Sequence, residues 1–504
     1  MNHTLIKIMF YAVLLLGIFL RVEEYAANRS FWLDEANVAY KVQHLPIEKI
    51  IRSADDGFGT LQPLPLGFIL VLRGAARFLG DDEYALRLFP LICGILAMIF
   101  FYVLSKKLLP PFWALAAFFS FDLIYYSSEL KPYSSDVLIL LLLIVTGVQT
   151  VERKFDQRYL LFTAGLGGIA LWCSFSSAFA LFSVFAYLLF SARQQGEKKL
   201  LLFLSLTALG WLISAWAYYE FSLRHFIGKS YLRDYWASGF LPRTSDVFRV
   251  FQWCVVIFQK LFENLLQYPA GLCAVLFSVS VCACCLRRDG KGLLLILPVA
   301  VTFFFALLRV YPFYDRPILF LMPCIMLLVF RGANILTERM RDPAKNIIRW
   351  LILCLLLFHP LRFTFLQFRE KKGIEDIKHA LEYLQTNALA GDQIVISYST
   401  VPAYRYYAPR YGLTMRPEII AKDMLDRFAN EEGCFDFLDD GRVWLLYTHV
   451  SYNHSLNRRE GAVSVFERCA RREDHKITKL IPQSVPRRPE HDISAALYLF
   501  NVKK

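Results

Sequence analysis

The chain has 504 residues, of which 56% are hydrophobic and 16% aromatic. Disorder is excluded, and so is an ordinary soluble enzyme, because the apolar residues fall in blocks of about 16–22, near the ~20 that cross a bilayer as a helix. The formal net charge of +13 does not imply a nucleic-acid partner: Lys106-Lys107, Arg153-Lys154, Lys198-Lys199 and Arg287-Arg288 sit between apolar blocks, where the positive-inside bias puts them.

Residues 6–20 form the first apolar run. No small-residue cleavage pattern follows, and Arg21-Val22-Glu23-Glu24 is a poor site, so the run reads as a retained span. Further spans are expected at about 84–105, 111–127, 134–150, 159–174, 176–191, 200–219, 269–286, 292–308, 317–333 and 350–366, with 250–262 a weaker, interfacial candidate. Residues 63–79 are apolar too, but Arg73 and Arg77 share one helical face. A charge at the bilayer centre costs at least ~2.5 kcal/mol on insertion scales. An amphipathic helix in the interface avoids that cost. Topology agrees: if 63–79 does not cross, the loops with Lys106-Lys107, Arg153-Lys154-Arg158, Arg193-Lys198-Lys199, Arg287-Arg288-Lys291 and Arg331 to Arg349 all lie inside, and the opposite short loops hold only Lys131, Arg309 and Arg316. This gives eleven spans with the N-terminus inside.

Three long external pieces follow: 22–83, about 220–268, and a tail, 367–504. The expected division is a membrane domain over 1–366 and a soluble domain over 367–504. The tail is charged and turn-rich, with a helix expected at 373–389 and strands at 393–397, 443–447 and 495–502, the pattern of a small α/β domain. The eleven cysteines are too scattered for a zinc cluster. Most lie in apolar blocks, where cysteine is a small hydrophobe. Cys434 and Cys469 alone fall in the polar tail, as a candidate disulfide.

The chemistry-bearing residues gather on the external side. Asp34-Glu35 follows Phe31-Trp32-Leu33 just outside the first span. An acidic pair there suits a general base for an incoming hydroxyl; Asp34 as cap of a helix over 35–45 is the plainer alternative, and the two are compatible. The turn from Tyr125 to Asp136 packs two acids before Pro132 or just after it (Glu129 and Asp136), Lys131, three tyrosines and four serines between apolar runs. That is more polarity than a turn needs, and it suits a sugar, a phosphate or a metal. Arg309-Val-Tyr-Pro-Phe-Tyr-Asp-Arg316 adds two guanidinium groups that match phosphate in two-point contact, or else anchor at the headgroups. Arg87 is placed to pair with Glu83, one helical turn earlier. No GxxxxGK[ST], HExxH or GxGxxG occurs, so no nucleotide site is visible, and the span centres carry few ionisable residues, a poor fit to ion-coupled transport.

An acidic pair after the first span, then Gln62-Pro63-Leu64-Pro65, Glu83-Tyr84-Ala85-Leu86-Arg87-Leu88 and Tyr126-Ser127-Ser128-Glu129-Leu130-Lys131-Pro132-Tyr133, resembles the C-type (GT-C) glycosyltransferases. The branch it is similar to comprises bacterial relatives of the protein O-mannosyltransferases and the lipid A aminoarabinose transferase. The resemblance is good over about residues 20–190, looser to 366, and in the tail extends only to an α/β domain. It implies a polytopic helical membrane protein of the bacterial inner membrane, with its active site and C-terminal domain on the periplasmic face. It implies transfer of a sugar from a polyprenyl-phosphate donor to an envelope acceptor: lipid A or another glycan, a lipid, or a protein. Asp34 matches the family's catalytic acid and Glu35 the second acid of that pair, while Glu129, Lys131 and Tyr133 fall on the second-loop signature. Lys131 stands where many relatives carry arginine, keeping the charge but losing the fork. Some relatives bind a divalent metal near these acids and others none; Asp34, Glu129 or Asp136 would be its ligands here. Lys131 and Arg316 would stabilise the departing phosphate. A lipid-linked oligosaccharide ligase or polymerase is the alternative enzyme class, and a transporter or flippase the non-enzymatic one.

Overall fold

The computed structural model describes residues 3–52, 63–114, 121–196, 198–226, 230–370, 375–414, 417–420, 438–448, 478–481 and 495–502. Cys434 and Cys469 lie outside them. The chain begins with α1 (His3–Ala26), α2 (Leu33–His44), α3 (Ile47–Ile51) and α4 (Leu66–Phe78). At 13 residues, α4 is about 20 Å long, short of the ~30 Å hydrocarbon layer, consistent with a helix that does not cross. It carries Arg73, whose guanidinium donates to the Leu45 carbonyl.

The bundle follows: α5 (Glu83–Leu108), α6 (Pro111–Ala114), α7 (Phe121–Tyr125), α8 (Tyr133–Glu152), α9 (Gln157–Cys173), α10 (Ser177–Gln195) and α11 (Lys198–Phe221). After α12 (Ser230–Tyr235) come α13 (Val247–Lys260), α14 (Ala270–Arg287), α15 (Gly290–Leu307), α16 (Met322–Glu338) and α17 (Ala344–Glu370). Eight helices among the described residues are long and apolar enough to span a membrane. Of the eleven expected spans, 111–127 is represented by the short helices α6 and α7, and 159–174 by the 17-residue α9. The weaker candidate 250–262 is α13, continued by a π-helical turn, Leu261–Leu265.

Helix ends follow local chemistry. Asp82 caps α5 by accepting the Ala85 amide at 2.8 Å, and Asp156 caps α9. Gly196, at φ 72°, ends α10 in the left-handed conformation that glycine adopts without strain. The centre of the bundle is α16, whose residues from Ile318 on its 3₁₀ lead-in to Phe330 are all buried. It crosses α14 closely: a Cβ on Gly332 would sit 1.8 Å from the Leu276 carbonyl oxygen.

The C-terminal unit has α18 (Ile377–Asn387), β1 (Gln393–Ser397), α19 (Val401–Tyr407), β2 (Glu418–Ile420), β3 (Gly441–Tyr447), β4 (Thr478–Ile481) and β5 (Ala496–Val502). The sheet order is β2-β1-β3-β5-β4. β1 runs parallel to β2 and β3, while β5 is antiparallel to β3 and β4. The expected helix and three strands are present; α19, β2 and β4 were not foreseen. Side chains alternate across a strand, so Ile394 and Ile396 on β1, Trp444 and Leu446 on β3 and Leu497 on β5 share one face. That face joins Phe31, Ala36, Val38, Leu64, Phe68, Leu72 and Leu86 in a second hydrophobic core, separate from that of the bundle. Residues before the first bundle helix and residues at the end of the chain thus fold on each other.

Candidate active site

The site is built around the first turn of α2. Trp32 is its N-cap residue and makes no side-chain cap. Asp34 therefore does not cap the helix. As a first-turn carboxylate it faces Lys131 Nζ at 3.3 Å and Arg316 Nη1 at 3.5 Å, both at Oδ2. The three residues come from α2, the turn before α8 and the 3₁₀ turn Arg316–Leu321. Asp34 keeps about a fifth of its side chain exposed, Lys131 less than a tenth.

Glu35, one residue on, behaves differently. It is buried, and its carboxylate takes Arg87 Nε at 2.8 Å and Nη2 at 2.5 Å, a two-point contact. Its Oε1 also accepts the Leu130 amide at 2.7 Å. Arg87 therefore pairs with Glu35 and not with Glu83, its neighbour one turn earlier. The helix winds Arg87 toward the first loop, where it also donates to the Arg29 carbonyl at 2.6 Å and lies over the Phe31 ring. Glu83 is taken by residues 295 and 324 positions downstream, Lys378 Nζ at 2.5 Å and the Tyr407 hydroxyl at 2.7 Å.

Glu129 is buried beneath this group. The Trp32 indole donates to its Oε1 at 3.1 Å, while the buried Oε2 has no hydrogen-bond partner among the described residues. Burial raises its carboxyl to about 7; the Glu35 charge adds to the rise, and Arg316 and Lys131 pull against it. Tyr133, at the start of α8, packs edge-on against Tyr126 at 5.0 Å and lies within electrostatic reach of Arg316, Glu129 and Asp34.

Of the two cations that face Asp34, Arg316 is seated among aromatic side chains. Its Nη2 donates to the Tyr235 hydroxyl at 2.9 Å, and its guanidinium lies 5.4 Å from the Trp32 ring centre and 5.7 Å from that of Trp236. The preceding Asp315 has φ 51°, an uncommon conformation for a residue with a Cβ, of the kind that clusters at functional sites. Arg309 points elsewhere, to the Leu241 carbonyl and the Phe240 ring. Asp136 also stands apart from this group: it bonds to Ser174.

The structure thus brings together Asp34, Glu35, Glu129, Lys131, Tyr133 and Arg316. Sequence reasoning missed Trp32 as the floor of the site, Arg87 as the partner of Glu35, and Tyr235 and Trp236 as the seat of Arg316. Tyr235-Trp236 in an external loop was a signal, since paired aromatics there need a reason. Among the described residues no group of three or more His, Cys, Asp or Glu side chains is arranged to hold a metal ion. Of the three acids named as metal ligands, Asp34 faces Lys131 and Arg316, Glu129 takes the Trp32 indole, and Asp136 stands apart beside Ser174.

Residues 64–219 match the family model described as dolichyl-phosphate-mannose-protein mannosyltransferase. Over these residues the sequence is similar to that glycosyltransferase family, in line with the motif resemblance, and the chain is a multi-pass helical membrane protein. No curated protein matches the chain. Among solved structures, ArnT from Cupriavidus metallidurans bound to undecaprenyl phosphate is 12% identical with a TM-score of 0.49, covering 99% of this chain and 98% of that one. The Archaeoglobus fulgidus oligosaccharyltransferase complex with zinc and sulfate is 14% identical with a TM-score of 0.49, over 86% of this chain and 67% of that one. The archaeal oligosaccharyltransferase AglB from the same organism, in complex with an inhibitory peptide and a dolichol-phosphate, is 12% identical at 0.49, over 87% and 69%.

Proposed function

We propose that this chain is an inverting glycosyltransferase of the bacterial inner membrane that moves a sugar from a polyprenyl-phosphate donor to an envelope acceptor on the periplasmic face, with Asp34 as general base. The observation that carries the reading is the contrast between two neighbouring ion pairs. Arg87 grips Glu35 at 2.8 and 2.5 Å, typical of a charge-assisted pair. Lys131 and Arg316 both face one oxygen of Asp34 at 3.3 and 3.5 Å, longer than a normal hydrogen bond. At that distance from Asp34, the two cations can turn to another partner.

A donor phosphate is the natural replacement. Arg316, fixed by Tyr235, Trp32 and Trp236, offers a planar fork to phosphate oxygens, and Lys131 adds a point charge. Once they engage phosphate, Asp34 is relieved of them and takes the proton of the acceptor hydroxyl. The acceptor oxygen then forms its bond to the anomeric carbon as the bond to the phosphate oxygen breaks on the opposite side. The phosphate leaves with the electron pair, its charge met by Lys131 and Arg316. One displacement inverts the centre. The bundle supplies the apolar surface that a polyprenyl chain needs, and no nucleotide fold is called for.

Asp34→Asn is the test. It keeps the shape of the side chain and removes its basicity, so transfer from a polyprenyl-phosphate sugar in membranes should fall by about 10²–10⁴, the usual worth of a general base, with expression unchanged. Wild-type turnover by this variant would remove Asp34 as base. Transfer of a whole glycan rather than one sugar would make the chain a ligase.

A further inference from the structure

The segment from Asn28 to Leu33, immediately before Asp34, is held by the end of the chain. Lys378 Nζ donates to the Asn28 carbonyl at 3.1 Å, and the Ser30 hydroxyl donates to Asp376 at 3.4 Å. The Phe31 amide donates to the Tyr407 hydroxyl at 2.7 Å, and the Leu33 amide to Glu375 Oε2 at 3.1 Å. Glu375 is fully buried, and Leu33 is the first residue of α2. First-turn amides have no acceptor within their own helix; an N-cap side chain ordinarily serves the second or third of them, so the first, here that of Leu33, needs an acceptor from elsewhere. Here the N-cap is Trp32, whose indole can only donate, which it does to Glu129, and so offers no acceptor to the helix.

We infer that Glu375 is a positioning residue for catalysis: from the C-terminal unit it accepts the first amide of α2, and so fixes the direction in which Asp34 leaves the helix and the seat of the Trp32 ring under Arg316. The inference rests on the proposed role of Asp34. It gives the C-terminal unit a part in the reaction without contact to substrate. Tyr407 acts in the same sense two residues earlier, accepting from Phe31 while donating to Glu83.

The test compares Glu375→Ala, which removes the acceptor, with Glu375→Gln, whose amide oxygen can still accept the Leu33 N–H. Full-length protein in detergent micelles is assayed with a polyprenyl-phosphate sugar, and hydrogen exchange is read on peptides covering residues 31–37. Alanine should lower kcat about tenfold or more, the scale of a lost buried bond to a charged acceptor, with KM for the donor within about twofold. It should also speed exchange at residues 33–36 by about tenfold, and glutamine should restore most of both. Tyr407→Phe, which keeps the ring and loses only the hydroxyl, should lower kcat by a smaller factor, again without moving KM, and covers the case in which Glu375→Ala fails to fold. Unchanged kcat and exchange in both alanine and phenylalanine variants, or a glutamine variant as impaired as alanine, would overturn the inference. If the wild-type chain makes no product, the functional reading falls, and the exchange result alone still decides whether Glu375 holds α2.

Discussion

The two hydrophobic cores of this protein are held by different means. In the bundle, α16 is wrapped by α14, α15 and α17 through apolar side chains, and Gly332 lets the α14 backbone come within contact distance. In the second core, the apolar face of the sheet meets the first loop, but its edges are fixed by buried polar bonds: Glu35 to Arg87, Glu83 to Lys378 and Tyr407, Leu33 to Glu375. A bundle in lipid gains little from hydrophobicity between helices and depends on close fit. The region that carries Asp34 depends on charges that must all be matched. Placing the reactive acid there gives it defined electrostatic neighbours, and ties it to bonds that a single substitution can leave unpaired.

Three substitutions would break or sharpen this contrast. Arg87→Ala should have the largest effect on stability, about 3–5 kcal/mol, because it leaves the Glu35 charge buried and unpaired. Thermal unfolding in detergent reads it, and replacing Glu35 by Gln in the same chain should recover part of the loss. Without that recovery, the ion pair is not what joins α5 to α2. Gly332→Ala tests the bundle in the opposite way, by adding volume: overpacking against the Leu276 carbonyl should cost about 1–3 kcal/mol, with kcat preserved in the molecules that remain folded. A neutral result would mean that α14 and α16 can part without loss.

The third effect is smaller and depends on pH. The Glu129 carboxyl is raised in the folded protein to about 7 from an ordinary value of 4.5. Between those values the folded state keeps a proton that the unfolded chain has released, so this group makes stability fall as pH rises from about 4.5 to about 7. Glu129→Gln should flatten that part of a plot of Tm against pH. An unchanged slope would assign the fall to other groups.

Much of the architecture was legible because it follows from local periodicity. Apolar runs of about twenty residues give spans whatever surrounds them, and Gln393–Ser397 and Gly441–Tyr447 read as strands from their β-branched, leucine and aromatic content. The short strand β2 and the helix α19 carry too few residues to announce themselves. At the site, Asp34, Lys131 and Arg316 were recognisable as polar residues concentrated on one side of an apolar chain. Their grouping at a single carboxylate oxygen was not, and neither was the division of labour between Asp34 and Glu35. Arg87 is the instructive error: spacing alone paired it with Glu83, but i,i+4 partners interact weakly in isolation, and a buried bidentate contact 52 positions away wins.

What the sequence by itself determined is the set of elements and the side of the bundle on which charge collects, since both depend on neighbours within a few turns of chain. Only the tertiary structure decided that Arg87 locks Glu35 while Asp34 faces its two cations at longer range, and that residues 375–407 hold the segment leading into Asp34. Those outcomes come from contacts between parts of the chain about 50 to 380 positions apart, for which no local pattern of residues carries a signal.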